Sequence, residues 1–409
     1  MGVGCTGDRG EEQRPDQQQP EQRLAHVRGA EKDLVGPDSV ERAGDQADAP
    51  VEQPHPQSGD EQGGGGVEDR VGQHGHPRTG AEHAVELARV AKDRGYDEIW
   101  MAEVNGGDSY ALAGAVAQGL PGVRIGTAVV PAQTRTPMMH AMAAMTLSQL
   151  TGGNFILGIG LSSPNIVQDW AGQPFNRPLT RMREHIEVLR QMLSGQKTTY
   201  EGRTVSAKGF RLGGKTVGEV PIYLGALNKR MLRLAGALCD GVCLNMVPEF
   251  ALPQVLGEVR AGAEEAGRDP GAIEVVARLH VVMVDDAAMG QNLIRTVFGA
   301  YAATPGYNKC FEWIGFEDEA RKIREAFARG DRAGVAAGVT SRLCDAMAIV
   351  GNRDTVRARI RAYAEAGIDV CIVNPIADLT AVPQVLADIS GCLDGLDLRN
   401  SGVMRATGS

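Results

Sequence analysis

Two turns in the sequence combine small residues, hydroxyls and backbone amides in the way that anion binding needs. Phe155-Ile-Leu-Gly-Ile-Gly-Leu-Ser-Ser-Pro164 reads as an apolar strand that ends in small residues and two hydroxyls, Ser162 and Ser163. Backbone N–H groups at such a turn can face a phosphate. Pro221-Ile-Tyr-Leu-Gly-Ala-Leu-Asn-Lys-Arg230 supplies a second strand, a turn at Gly225-Ala226-Leu227 and a helix start near Asn228, with Lys229 and Arg230 beside it. A helix start with free amides and nearby cations attracts an anion. Either turn alone is common in α/β proteins; on neighbouring strands the two predict one phosphate clamp.

Other strand ends carry further candidates. Glu103-Val-Asn-Gly-Gly-Asp108 offers Glu103 and Asn105 as partners for a heterocycle or a substrate carbonyl. Asp108 reads as the cap of the next helix. Thr127 and Ala128, followed by Val129, are small enough for a flat ring to rest on. His140 opens the following helix; an imidazole there is a candidate proton donor, and the plainer reading is a structural histidine. Gly158 and Gly160 form a G-x-G, but Pro164 stands where a dinucleotide fold needs a helix-packing glycine, which argues against a Rossmann domain.

These loops need elements to hold them. From Ala81 onward helices and apolar runs alternate without a break, starting with a helix over 82–94. Strands are expected near 98–102, 123–130, 154–160, 221–225, 241–245, 273–284 and 369–373, with a helix after each and a last helix near 380–389. That pattern predicts an α/β fold, a (β/α)8 or TIM barrel with insertions, in which reactive groups stand at the C-terminal strand ends. Only seven strands are legible, because residues 70–80 make a poor first strand. We expect the preceding segment to be a leader that replaced the true first strand; the alternative is an atypical strand hidden around Glu68–Gly72. The insertion around Ala303–Ala337, with Tyr307, Phe311 and Trp313, is expected to shape a substrate pocket.

Composition sets the organisation. Residues 1–79 contain no Ile, Phe, Trp or Tyr, and include a Gly63–Gly66 run. Such a segment buries too little apolar surface to offset its conformational entropy, so it is expected to be a disordered leader. Residues 80–395 would form the barrel and 396–409 a flexible tail. Residues 1–80 carry 16 acidic and 8 basic side chains, so nearly all of the formal charge of −9 belongs to the leader. No basic face remains to suggest nucleic acid. No apolar run approaches the roughly 18 residues of a membrane span. The odd cysteine count of 7, with several inside apolar runs, fits buried thiols in a reducing cytoplasm. No recurring ligand spacing points to a metal.

Several stretches together resemble the luciferase-like monooxygenase superfamily, and most of all its coenzyme F420-dependent branch. They are Ala88–Trp100, Ile125–Val130, Thr134–Pro137, Leu150–Gly160, Tyr200–Arg203 with Gly209–Leu212, and Pro221–Ala226 with Ala235–Gly241, in the expected order across 81–390. The resemblance implies a (β/α)8 barrel with flavin or F420 at the C-terminal strand ends. It implies a non-prolyl cis peptide within Thr127-Ala128-Val129, and a phosphate held by Ser162, Ser163, Ala226, Leu227 and Asn228. It also implies a small-molecule substrate and a homodimer. Luciferase-type members place a histidine pair where this chain has Val104-Asn105, and Gly160-Leu-Ser-Ser-Pro164 reads like the F420 branch. The expected chemistry is therefore hydride transfer with F420. The alternatives are an FMN-dependent monooxygenase and, given the missing first strand, a barrel that binds no cofactor.

Overall fold

A computed structural model describes residues 81–393. The expected leader and C-terminal tail lie outside the described residues. The chain enters with α1 (Ala81–Asp93), β1 (Glu98–Met101) and α2 (Ser109–Gly119). Asp108 caps α2 as expected: its carboxylate accepts from the amides of Tyr110 and Ala111 at 3.0 and 2.9 Å. Next come β2 (Arg124–Thr127), β3 (Val130–Pro131), α3 (Pro137–Leu150) and β4 (Phe155–Gly160). Thr136 caps α3, and Pro137, with its fixed φ, occupies the first turn. The run expected as one strand over 123–130 is thus two pieces, broken at Thr127-Ala128-Val129, where the Ala128–Val129 peptide is cis.

A π-helix (Asn165–Trp170), α4 (Pro178–Leu193) and an antiparallel hairpin, β5 (Thr198–Glu201) and β6 (Ser206–Phe210), follow. The second half brings β7 (Ile222–Gly225), α5 (Lys229–Leu238), β8 (Gly241–Asn245), α6 (Leu252–Glu265) and β9 (Glu274–Met283). The insertion then runs through α7 (Ala287–Ala303), α8 (Pro305–Trp313), α9 (Glu317–Ala328), α10 (Arg332–Gly338) and α11 (Ser341–Met347). It ends in β10 (Ile349–Gly351), α12 (Arg353–Glu365), β11 (Val370–Pro375) and α13 (Val382–Leu393). The sequence did not foresee β10; three residues are too few to show a period.

The large sheet is parallel, in the order β1-β2-β4-β7-β8-β9. Both β10 and β11 pair with β9, β10 at its C-terminal end. All six residues of β4 are buried, as in a strand covered on both faces. Among the described residues β1 pairs only with β2 and β11 only with β9, so the barrel sheet is open between them. Helices span that gap on the outside. Tyr96 Oη donates to the Leu386 carbonyl at 3.1 Å and Ser390 Oγ to that of Arg94 at 2.6 Å, tying α13 to the α1 turn.

The barrel floor is ionic. The Arg124 guanidinium pairs with Glu98 and, at 2.9 Å, with Glu274, while Tyr223 Oη donates to Glu274. Above it Ile156, Tyr223, Cys243 and Val276 fill the lumen, with Trp100, Val129, Val370 and Ile372 packed against them. A Cβ on Gly126 would stand 2.3 Å from the Trp100 ring, so that glycine makes room for the indole. The six cysteines among the described residues are free thiols, and burial pushes those of Cys239, Cys310 and Cys371 up to about 12. Among the described residues no helix is long and apolar enough to cross a membrane.

Candidate functional site

The break between β2 and β3 builds a platform at the C-terminal mouth. Thr127 is fully buried; its Oγ1 donates to the Gly158 carbonyl at 2.8 Å and accepts from the Gly158 amide at 2.9 Å. Ala128 N donates to the Met101 carbonyl at 2.6 Å, and Glu103 N to that of Val129 at 3.4 Å. The Val129 side chain enters the lumen. A Cβ on Gly160 would come within 2.6 Å of Val129 Cγ2, and one on Gly225 within 3.1 Å. Two strand-end glycines therefore leave the space that Val129 fills, and its methyls form a small apolar floor.

The predicted phosphate turns border this floor, and the structure sorts their donors. Ser162 has a left-handed φ of 64°. The Ser163 Oγ accepts from Ile166 N, in the first turn of the π-helix, at 3.4 Å. The Ala226 amide is spent on the Cys243 carbonyl at 3.2 Å, so it is not a free donor. Leu227 gives its carbonyl to Trp313 Nε1 at 3.3 Å, and Asn228 Nδ2 donates to the Gly306 carbonyl at 3.0 Å. The Asn228 carbonyl takes the amides of Met231 and Leu232, both at 2.9 Å. The Lys229 amide comes earlier, at the first position of α5, where a helix has no internal acceptor. Lys229 Nζ lies 5.4 Å from the centre of the Trp313 ring. Insertion and clamp are thus joined: α8 holds the Gly225–Asn228 turn through Gly306 and Trp313.

The three residues expected to be catalytic do not converge. Glu103 accepts from Arg135 Nη1 and Nη2 at 2.6 and 2.9 Å and from Ser109 N at 3.1 Å. Arg135 also pairs with Asp108 and lies over the Tyr110 ring, 5.1 Å from its centre. Tyr110 Oη meets His140 Nδ1 at 2.5 Å, and the rings of His140 and His185 stand 5.1 Å apart. His140 is fully buried. Burial, helped by the Arg135 charge, lowers its pKa to about 4, and burial holds His185 well below the ordinary range. At pH 7 the His140 ring is therefore neutral and carries a single N–H. Asn105 is exposed on the loop. Arg135, 32 residues beyond Glu103, fixes the carboxylate's position through two hydrogen bonds; no local pattern announces it.

Sequence reasoning missed a polar group on the facing wall. Asn245 on β8 and Arg278 on β9 are partners in register, one same-face step above Cys243 and Val276. His280 and Asn374 form the next same-face pair between β9 and β11. Arg278 Nη2 donates to Asn374 Oδ1 at 3.0 Å, and Asn374 Nδ2 meets His280 Nδ1 at 2.8 Å. His280 Nε2 meets Asn245 Oδ1 at 2.9 Å, and Asn245 Nδ2 donates to Tyr307 Oη at 2.7 Å. The available signal was Arg278 and His280 two apart in an otherwise apolar run. Of the insertion's aromatics, Tyr307 reaches this wall and Trp313 the clamp, whereas Phe311 is fully buried against Phe316.

The sequence pattern that defines the family described as luciferase-like monooxygenase matches residues 64–370. A Mycobacterium tuberculosis protein provisionally described as a coenzyme F420-dependent oxidoreductase is 30% identical over 322 residues, covering 72% of this chain and 90% of its own length. The 5,10-methylenetetrahydromethanopterin reductase of Methanolobus tindarius is 31% identical, covering 69% of this chain and 86% of its own. Among solved structures, the coenzyme F420-dependent tetrahydromethanopterin reductase of Methanopyrus kandleri shares the fold. Its TM-score is 0.64 at 24% identity, over 76% of this chain and 95% of the other.

Proposed function

The chain belongs to the luciferase-like monooxygenase family of enzymes, and from that premise we propose a coenzyme F420-dependent oxidoreductase acting on a small organic substrate. The observation that carries this reading is the Val129 floor between Gly160 and Gly225, with the start of α5 four residues beyond Gly225. The glycines leave a cradle that a Cβ would close, and the α5 amides with Lys229 supply an anion site. These features fit a flat ring joined to a phosphodiester.

When bound, F420 supplies a hydride donor or acceptor at its deazaflavin carbon. Thr127, Ala128 and Val129 would support the ring from below. The turn at Ser162 and Ser163 and the stretch Gly225–Asn228 would hold the phosphate, with Lys229 and the first α5 amides as donors. Glu103, fixed by Arg135, would hold the rim of the pocket, and Asn105 would meet the exposed edge of ligand or substrate. His140, neutral and bonded to Tyr110, would brace the rim from beneath. The protein's contribution is orientation and exclusion of water. The free, buried thiols fit a cytoplasmic enzyme.

A homodimer is part of the same reading. Met139 and Met142, with Leu150, are partly exposed on α3, and with Tyr110, Gly114 and Leu147 they line an apolar groove of about 370 Å³. A second copy of α2 and α3, related by a two-fold axis, would cover it with like surface.

The test is fluorescence titration of F420, and separately of FMN, into the full chain. Saturable quenching of F420 with weaker or no binding of FMN is expected. FMN binding alone would move the assignment to a flavin monooxygenase. Binding of neither would favour a defective barrel that binds no cofactor.

A further inference from the structure

Protons in the wall network can be assigned in one direction only. Arg278 has no acceptor, so it must donate to Asn374, which fixes Oδ1 of that amide toward the guanidinium and Nδ2 toward His280. His280 Nδ1 therefore accepts, and Nε2 carries the hydrogen. Burial holds His280 well below its ordinary pKa, consistent with a neutral ring. Nε2–H needs an oxygen, which fixes Asn245 Oδ1 toward it and Asn245 Nδ2 toward Tyr307. The Tyr307 oxygen is then an acceptor, and its own proton is unspent. Burial raises this phenol to about 12, so the proton stays on at neutral pH.

The chain of donors has two open ends. At one, Arg278 uses one N–H on Asn374 and has no carboxylate partner among the described residues. At the other stands the Tyr307 hydroxyl. Tyr307 is joined to Asn245, the register partner of Arg278, and that pair stands one same-face step above Cys243 and Val276, against which Val129 packs. A half-buried guanidinium without a counter-charge is costly in a fold with no use for it.

Resting on the oxidoreductase reading above, we propose that Arg278 and Tyr307 bind an anionic oxyacid group of the substrate, a carboxylate by preference. The remaining guanidinium N–H groups match the two oxygens of a carboxylate, and the Tyr307 proton adds a third donor. Asn374, His280 and Asn245 are positioning residues: they hold both donors and take no part of the anion. The enzyme's substrate is thereby an organic acid, anchored on this wall with its reacting carbon toward the Val129 floor.

Thermal unfolding of the full chain with benzoate or inorganic phosphate as probe, and F420 quenching on the same preparations, tests this. Benzoate should raise the wild-type midpoint in a saturable way, with phosphate weaker. Arg278→Lys and Tyr307→Phe should each weaken the apparent benzoate affinity by about 10- to 100-fold, as loss of a hydrogen bond to a charged group predicts. Arg278→Met should abolish the shift and, without probe, unfold no earlier than wild type, since it removes an uncompensated charge. Equal benzoate protection of wild type and variants overturns the proposal. So does an Arg278→Met protein that unfolds several degrees earlier or fails to fold, which would make the arginine structural. A stronger effect of phosphate keeps the site and reassigns the group to a phosphate ester. A benzoate effect in protein that does not quench F420 sinks the cofactor assignment and leaves this site standing.

Discussion

Alanine at three glycines around the Val129 floor should produce three different results, ranked by what each new methyl meets. At Gly158 the Cβ would stand 1.7 Å from the Thr127 carbonyl oxygen and 2.9 Å from its carbon. Those are backbone atoms, held by the two Thr127–Gly158 hydrogen bonds and the β2–β4 pairing. Relief requires the strands to part, so Gly158→Ala should exceed the usual overpacking cost of about 1–3 kcal/mol and yield little folded protein. At Gly160 the obstacle is one methyl, Val129 Cγ2 at 2.6 Å, the end of a side chain that can turn. The fold should survive at about 1–3 kcal/mol, a midpoint loss on the order of 3–8 °C. Turning Val129 roughens the floor, so F420 affinity should fall about tenfold or more, one factor of ten per 1.4 kcal/mol. At Gly225 the contacts are 3.1 and 3.2 Å, which a few tenths of an ångström relieve, and the expected cost is below about 1 kcal/mol. Unfolding midpoints and F420 quenching on the three purified variants read both effects. Equal losses at Gly158 and Gly225, or normal stability and cofactor binding for Gly160→Ala, would refute the floor.

Acidification should destabilise the fold between about pH 6.5 and 4. His140 stays neutral down to about 4 while the unfolded chain takes up its proton near 6.5. The unfolded state then binds more protons, so stability falls with falling pH by about 1.4 kcal/mol per unit for this group. His140→Phe should flatten that slope in urea titrations across the window; an unchanged slope would contradict the burial. Glu184 adds a lower window: burial opposes its charge, but the Thr204 hydroxyl and the amides of Arg203, Thr204 and Val205 hold its pKa below the carboxylate range. Its stabilisation is present above the unfolded value of about 4.3 and lost as pH falls through the native one. Glu184→Gln should therefore cost about 2 kcal/mol at pH 7 and release the β5–β6 hairpin to protease before the barrel opens; simultaneous cleavage of hairpin and barrel would count against that. Met139→Glu with Met142→Glu should convert a dimer to a monomer in sedimentation velocity, whereas a monomeric wild type removes the α2–α3 interface.

Local chemistry made much of the scaffold legible. Short apolar runs alternating with helices gave seven barrel strands, and Asp108 announced itself as a cap. The Thr127-Ala128-Val129 stretch was recognised by its resemblance to a family, and its cis bond lies at Ala128–Val129. β10 escaped because three residues carry no periodicity.

By itself, then, the sequence determined that a parallel α/β barrel forms and which strand ends face the mouth. These are properties of neighbours along the chain: side-chain alternation, helix caps and the conformational freedom of glycine. Only the tertiary structure decided which strand-end side chains are free to act. Glu103 is answered by Arg135 and His140 is sealed behind Tyr110, while Arg278 is left with open donors. Charge state and donor direction depend on burial and on partners that sit up to 96 residues away, as Asn374 does from Arg278. Packing brings those groups together, and no local pattern encodes it.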